Sequence, residues 1–160
     1  KKKGFRCTLT IIGSIPDYIT YEDEDLTIIH NLDKANDRHL EKLCKILKES
    51  HFLFLPTLFD AYGIVFCEAS AYALPSIAAN VGGVGQVIVE GKNGYLLPSN
   101  ATAQDYADKI ISVFNDKEDY IKLRASSRLE FETRLNWDIW GEQVNRILDD
   151  TIFNWKATYV

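Results

Sequence analysis

Two carboxylates in the stretch FLFLPTLFDAYGIVFCEASAYALPSIAANVGG, residues 52–83, are the side chains best placed to do chemistry. Asp60 sits in a loop that follows an apolar run. Glu68 comes eight positions later, among small and apolar residues where a core side chain would be expected. Between them, Gly63 permits a tight turn or a close backbone approach. A helix that starts near Gly63 offers free N–H groups and a partial positive charge, which suit a phosphate. Glu68 then lies roughly 7.5 Å further along the axis, at about 1.5 Å per residue, with its side chain leaning back toward the helix start. Such a row fits an extended anionic ligand. Asp60 would meet a polyhydroxyl end, the helix N-terminus the phosphates, and Glu68 a ribose. Gly82-Gly83, after the next apolar run, could bring its backbone to the same crevice.

Plainer readings stand beside these. Loop aspartates often form turns, so for Asp60 alone the two roles are balanced. Glu68 could be a solvated helix face, but its neighbours Phe66, Cys67, Ala69 and Ala71 point to a buried helix. A carboxylate buried there without a partner is costly, which favours a ligand role. Gly-Gly pairs alone mostly make turns. Cys67 reads as core packing, since no histidine is placed to activate it.

The elements that must position these residues alternate. Short β-branched or apolar runs over 7–13, 26–30, 51–56, 75–80 and 94–98 read as strands. The segment 37–50 carries Leu40, Leu43, Cys44 and Leu47 at helical spacing. Residues 14–25 read as an acidic loop, and VGQVIVEG is ambiguous between helix and strand. Helices follow over 102–116, 117–135 and 137–150. Thr102 with Asp105 resembles a capping box, and Asn136 is a candidate N-cap. Strands alternating with helices predict an α/β fold, a Rossmann-like parallel sheet flanked by helices and ending in a helical segment. Strands apolar on both faces agree with a sheet covered on both sides.

Composition narrows the function classes. The chain has 160 residues and a net charge of −5, and its one basic cluster is the opening KKKGFR. An acidic chain without a basic stripe argues against a nucleic-acid surface. The three cysteines are scattered and form no CxxC, so reduced thiols and a cytoplasmic location are expected. His30, His39 and His51 fall on three different elements, so no metal site is expected. No apolar run approaches the roughly 20 residues of a membrane span. The chain has no methionine, and is therefore expected to be a fragment of a longer one.

The run PTLFDAYGIVFCEASAYALPSIAANVGGVGQVIVEGKNGYLLP, residues 56–98, closely resembles the signature of family 4 retaining glycosyltransferases. Their pattern is roughly P-S/T-x-x-E-x-F/Y-G-I/L-x-x-x-E-A-x-A-x-G-x-P, then G-G-x-x-E, then D-G-x-N-G-x-L. More loosely, CTLTIIG is similar to the family's L-x-I-x-G strand, and LNWDIW to its late F-S-W segment. The resemblance implies the C-terminal, nucleotide-sugar-binding domain of a GT-B fold. It implies that Asp60, matching the first motif acid, contacts the donor sugar as the catalytic-site acid. The amides of Ala61, Tyr62, Gly63 and Ile64, with Gly82 and Gly83, would cradle sugar and phosphate. Glu68 would hold the ribose, and Asn31 and Leu32 would lie near the base. The donor would be a nucleotide diphosphate sugar, with no cofactor and no metal.

The resemblance also has gaps. Asp60 is one methylene shorter than the family's Glu. Ala73 stands where a Gly is usual, and Gly85-Gln86 replaces Pro-Glu. The family's first strand and helix, with a cationic Gly-Arg…Lys-Gly loop, have no counterpart, and neither does an N-terminal acceptor domain. The expectation is thus a donor-binding domain over 1–150 with a tail over 151–160. It would be inactive alone and would belong to an enzyme that transfers a sugar with retention of configuration. Any membrane contact would come only through the missing domain. The family is common in assembly of cell-surface polysaccharides and glycolipids. Two alternatives stay open: another GT-B activity such as a nucleotide-sugar epimerase, and a non-catalytic α/β binding module.

Overall fold

The structure, a computed structural model, describes residues 4–13 and 24–159. Most of the acidic loop expected over 14–25, the start of the basic cluster and the side chain of Trp155 lie outside the described residues. The chain divides into two compact units, Lys1–Ile46 and Leu47–Val160.

In the first unit, strands β1 (Leu9–Ile12) and β2 (Leu26–Ile29) pair in parallel, Leu9 opposite Leu26 and Ile12 opposite Ile29. A loop then leads into α1 (Asp37–Glu49), whose residues from Leu47 on belong to the second unit. Asn36 starts this helix. Its Oδ1 accepts from the amides of Arg38 at 3.1 Å and His39 at 3.3 Å, satisfying donors the helix leaves open.

The second unit is built on three parallel strands in the order β3 (Leu53–Leu55), β4 (Ser76–Ala79), β5 (Gly94–Leu97). Helix α2 (Ile64–Ala71) joins the first two, and the one-turn α3 (Val84–Val87) lies between the last two. The ambiguous VGQVIVEG is thus a helical turn followed by extended chain, with Glu90 bridging to Gly94. Alternation along the strands sorts side chains to two faces. Leu53, Leu55, Ala78 and Leu96 pack with Phe66, Val84, Val87, Ile88 and Leu135. Phe52, Phe54, Ile77, Tyr95 and Leu97 pack with Tyr106 and Ile110. That is why every position of β4 is buried.

Tyr106 and Ile110 belong to α4 (Ala103–Asn115), which opens on the expected capping box. The Thr102 amide donates to Asp105 Oδ2 at 2.7 Å, and the Asp105 amide donates to Thr102 Oγ1 at 3.3 Å. Helix α5 (Lys117–Glu130) follows, and its arginines grip the end of α2. Arg124 Nε donates to the Ala73 carbonyl at 3.2 Å, and Arg128 donates to that of Ala71. Cations there answer carbonyls the helix leaves unpaired.

The helix expected over 117–135 is not continuous. It ends at Glu130 and gives way to a π turn, Phe131–Leu135. Asn136 accounts for the change, since its Nδ2 takes the carbonyls of Phe131 at 2.8 Å and Glu132 at 3.0 Å. Its Oδ1 accepts from the Ile139 amide at 3.0 Å and so caps α6 (Trp137–Tyr159), as expected. That helix, expected over 137–150, continues without a break to Tyr159.

Candidate functional site

Because β3 and β4 run parallel, the loops leaving their carboxyl ends emerge at one edge of the sheet, where α/β proteins place ligands. The structure brings these two loops together backbone to backbone. The Gly83 amide donates to the Asp60 carbonyl at 3.3 Å. A β-carbon on Gly82 would stand 2.0 Å from the Asp60 carbonyl oxygen, and one on Gly83 would stand 2.1 Å from that of Ala61. Asp60, Ala61, Tyr62, Gly82 and Gly83 therefore form one joined wall.

Asp60 turns its own loop. Its Oδ1 accepts from the Tyr62 amide at 3.1 Å, an Asx turn. Gly63 then adopts φ +81°, and a β-carbon there would meet the ring of Phe66 at 2.5 Å. Phe66 is wholly buried, so the ring cannot yield. The Phe66 amide closes onto the Gly63 carbonyl at 2.9 Å and starts α2. The amides of Ala61, Gly63 and Ile64 donate to no other described residue, whereas that of Tyr62 is already taken by Asp60.

Glu68 sits half-buried on the second turn of α2, next to Cys67. Burial pushes the Cys67 thiol up, and Glu68 adds to the shift; the neighbouring Tyr62 phenol and the Arg134 charge oppose it. Burial, then the neighbouring thiol, pushes the Tyr62 phenol up as well. Cys67 packs against the core, as expected. Asn31 and Leu32 lie in the first unit, in the loop between β2 and α1.

Arg134, in the π turn, was not legible as a site residue. Its guanidinium donates to the carbonyls of Gln86 at 2.7 Å and Val87 at 2.8 Å, at the end of α3. Sequence offers only the Glu130–Arg134 spacing as a signal, and that pair closes at 2.8 Å. Among the described residues no group of three or more His, Cys, Asp or Glu could hold a metal ion. All three cysteines are free thiols, and no described helix is long and apolar enough to cross a membrane.

Residues 1–130 match the family model described as Glycosyl transferases group 1. D-inositol 3-phosphate glycosyltransferase of Corynebacterium glutamicum is 24% identical over 142 residues, covering 89% of this chain and 34% of its own length. The chain spans about a third of the curated relatives it matches. Sucrose-phosphate synthase from Thermosynechococcus elongatus superposes with a TM-score of 0.67 at 22% identity, over 82% of this chain and 31% of that one. Anabaena HepE in complex with UDP-glucose gives 0.65 at 16% identity, over 80% and 33%. Both share the α/β fold of parallel strands between helices. With the family model matching 130 of its 160 residues, the chain belongs to the glycosyl transferases group 1 family.

Proposed function

We propose that this chain is the donor-binding domain of a retaining glycosyltransferase, and that it holds a nucleotide diphosphate sugar in the crevice between the β3 and β4 loops. The observation that carries the reading is the close packing of Gly82-Gly83 on Asp60-Ala61. It joins two loops at the carboxyl edge of the sheet, beside a helix whose first amides are open. The amides of Ala61, Gly63 and Ile64 meet sugar and phosphate oxygens. Asp60 faces the sugar hydroxyls, and Glu68 holds the ribose hydroxyls from the next turn of α2. HepE, which shares the fold, was captured with UDP-glucose, and this supports UDP as the first probe.

Calorimetric titration with UDP, GDP and ADP tests the reading, with Glu68→Ala in parallel. The expected result is binding of one nucleotide, weakened in the variant by about 1–3 kcal/mol, the scale of a lost charged hydrogen bond. Binding that is indifferent to Glu68→Ala would reject the ribose role. No binding, by this chain or by a longer chain that contains it, would reject the donor-site reading.

A further inference from the structure

Helix α3 has only four residues, Val84–Val87, and one turn cannot hold itself in water. Its start nevertheless sets the wall of the crevice. The Gln86 amide bonds the Gly83 carbonyl at 2.9 Å, the Val84 amide that of Val81 at 3.1 Å, and the Gly83 amide that of Asp60 at 3.3 Å. Any shift of α3 therefore moves Gly83 off Asp60.

The other end of the turn is clamped. Arg134 places two guanidinium nitrogens on the carbonyls of Gln86 and Val87, at 2.7 and 2.8 Å. Its Nε is held by Glu130 at 2.8 Å, and Glu130 is 13% exposed. A planar fork of donors can serve three acceptors at once, which an ammonium cannot do with the same geometry. The arginine comes from the π turn, and Leu135 beside it is locked in the core with Val84 and Val87. We infer that Arg134 is a positioning residue for the donor crevice: it fixes α3 so that Gly82-Gly83 stays seated on Asp60-Ala61. The inference rests on the donor-binding reading for its consequence, but its geometry stands without ligand. With all three nitrogens engaged, the guanidinium acts through the loop and not as a phosphate ligand.

Arg124 supplies the control. Like Arg134 it donates to a backbone carbonyl, but from α5 and to Ala73 just past the end of α2, away from the Gly loop. Amide hydrogen exchange is measured on wild type, Arg134→Ala, Arg134→Lys and Arg124→Ala, with melting curves for each. Arg134→Ala is expected to speed exchange at Gly83, Val84 and Gln86 tenfold or more, while the Leu53 amide, bonded to Pro75, changes less than twofold. Arg134→Lys should fall between, and keeps the test readable if the alanine variant unfolds. Arg124→Ala should leave Gly83 within twofold of wild type at equal or greater loss of melting temperature. UDP titration adds the functional readout: affinity falls tenfold in Arg134→Ala and under threefold in Arg124→Ala. Unchanged Gly83 exchange in both Arg134 variants would overturn the inference, as would equal loss of UDP affinity in the two alanine variants. If wild type does not bind UDP, exchange at Gly83 still decides whether Arg134 holds the loop, and only the donor reading fails.

Discussion

The carbonyl oxygen of Asp60 stands 2.0 Å from where a β-carbon of Gly82 would be, so the two residues meet with no room for a side chain between them. Gly82 also has φ +50°. Gly82→Ala therefore carries two costs, a left-handed backbone strain of about 1–2 kcal/mol and displacement of the Asp60 backbone. The expected loss in urea unfolding is about 2 kcal/mol or more. Gly91→Ala is the comparison, since Gly91 has φ +73° and nothing within 4 Å of its β-carbon position. It should lose only the strain, about 1 kcal/mol. Equal losses would mean the Asp60 contact contributes nothing.

Ala73 records a departure from the family pattern in its backbone. It is the one non-glycine among the described residues with positive φ, at 53°. The Leu74 amide bonds the Ala69 carbonyl at 3.0 Å and the Ala73 amide that of Ser70 at 3.0 Å. That pairing is the Schellman close of α2, which asks for glycine at this position. Ala73→Gly should raise stability by about 0.5–1 kcal/mol in denaturant titration, against the usual direction of a glycine substitution. A loss would show that the Ala73 methyl contributes packing greater than its strain.

These two residues show what sequence can and cannot carry. The strands, the start of α2 after Gly63 and the Thr102–Asp105 box were legible because each rests on periodicity or on contacts within four residues. The placement of Asp60 in a loop and of Glu68 on the helix after it was legible because one loop and one helix carry them. The seating of Gly82 on Asp60 could be read only as two separate glycine-rich turns, since 22 residues separate the partners. Arg134 reaches back 47 and 48 residues to Val87 and Gln86, and its one local signal, the spacing to Glu130, reads as an ordinary helical ion pair. The break of α5 at Glu130 was missed because FETRL has ordinary helical composition. The side-chain bonds of Asn136 decide it, and these appear only once the chain is folded.

The capping box at the head of α4 should give the fold an acid-sensitive element. The hydroxyl and amide of Thr102 bond the Asp105 carboxylate and hold it below its ordinary value of 3.8. A carboxyl lowered on folding stabilises above its unfolded value, and the benefit is lost as pH falls through the folded one. Thr102→Ala should thus be less stable than wild type by a constant amount above about pH 5, with the gap shrinking toward about pH 2. Denaturant titrations across that range measure it. A gap that grows in acid would mean the carboxyl is not lowered in the folded state.

Asp60 has two roles to separate, and one substitution can do it. Its Oδ1 already accepts from the Tyr62 amide at 3.1 Å, a turn that needs an oxygen but no charge. Asp60→Asn keeps that oxygen and removes the charge, whereas Asp60→Ala removes both. On the turn alone, Asp60→Ala should lose about 1 kcal/mol of stability and Asp60→Asn under about 0.5 kcal/mol. If the carboxylate also meets donor hydroxyls, Asp60→Asn should bind UDP as wild type does but lose affinity for UDP-glucose by about 1–3 kcal/mol, the scale of a charged hydrogen bond. Titration of both ligands against both variants tests this. Equal affinity of wild type and Asp60→Asn for UDP-glucose would leave Asp60 as the residue that shapes the loop, and assign recognition of that sugar to the amides of Ala61, Gly63 and Ile64.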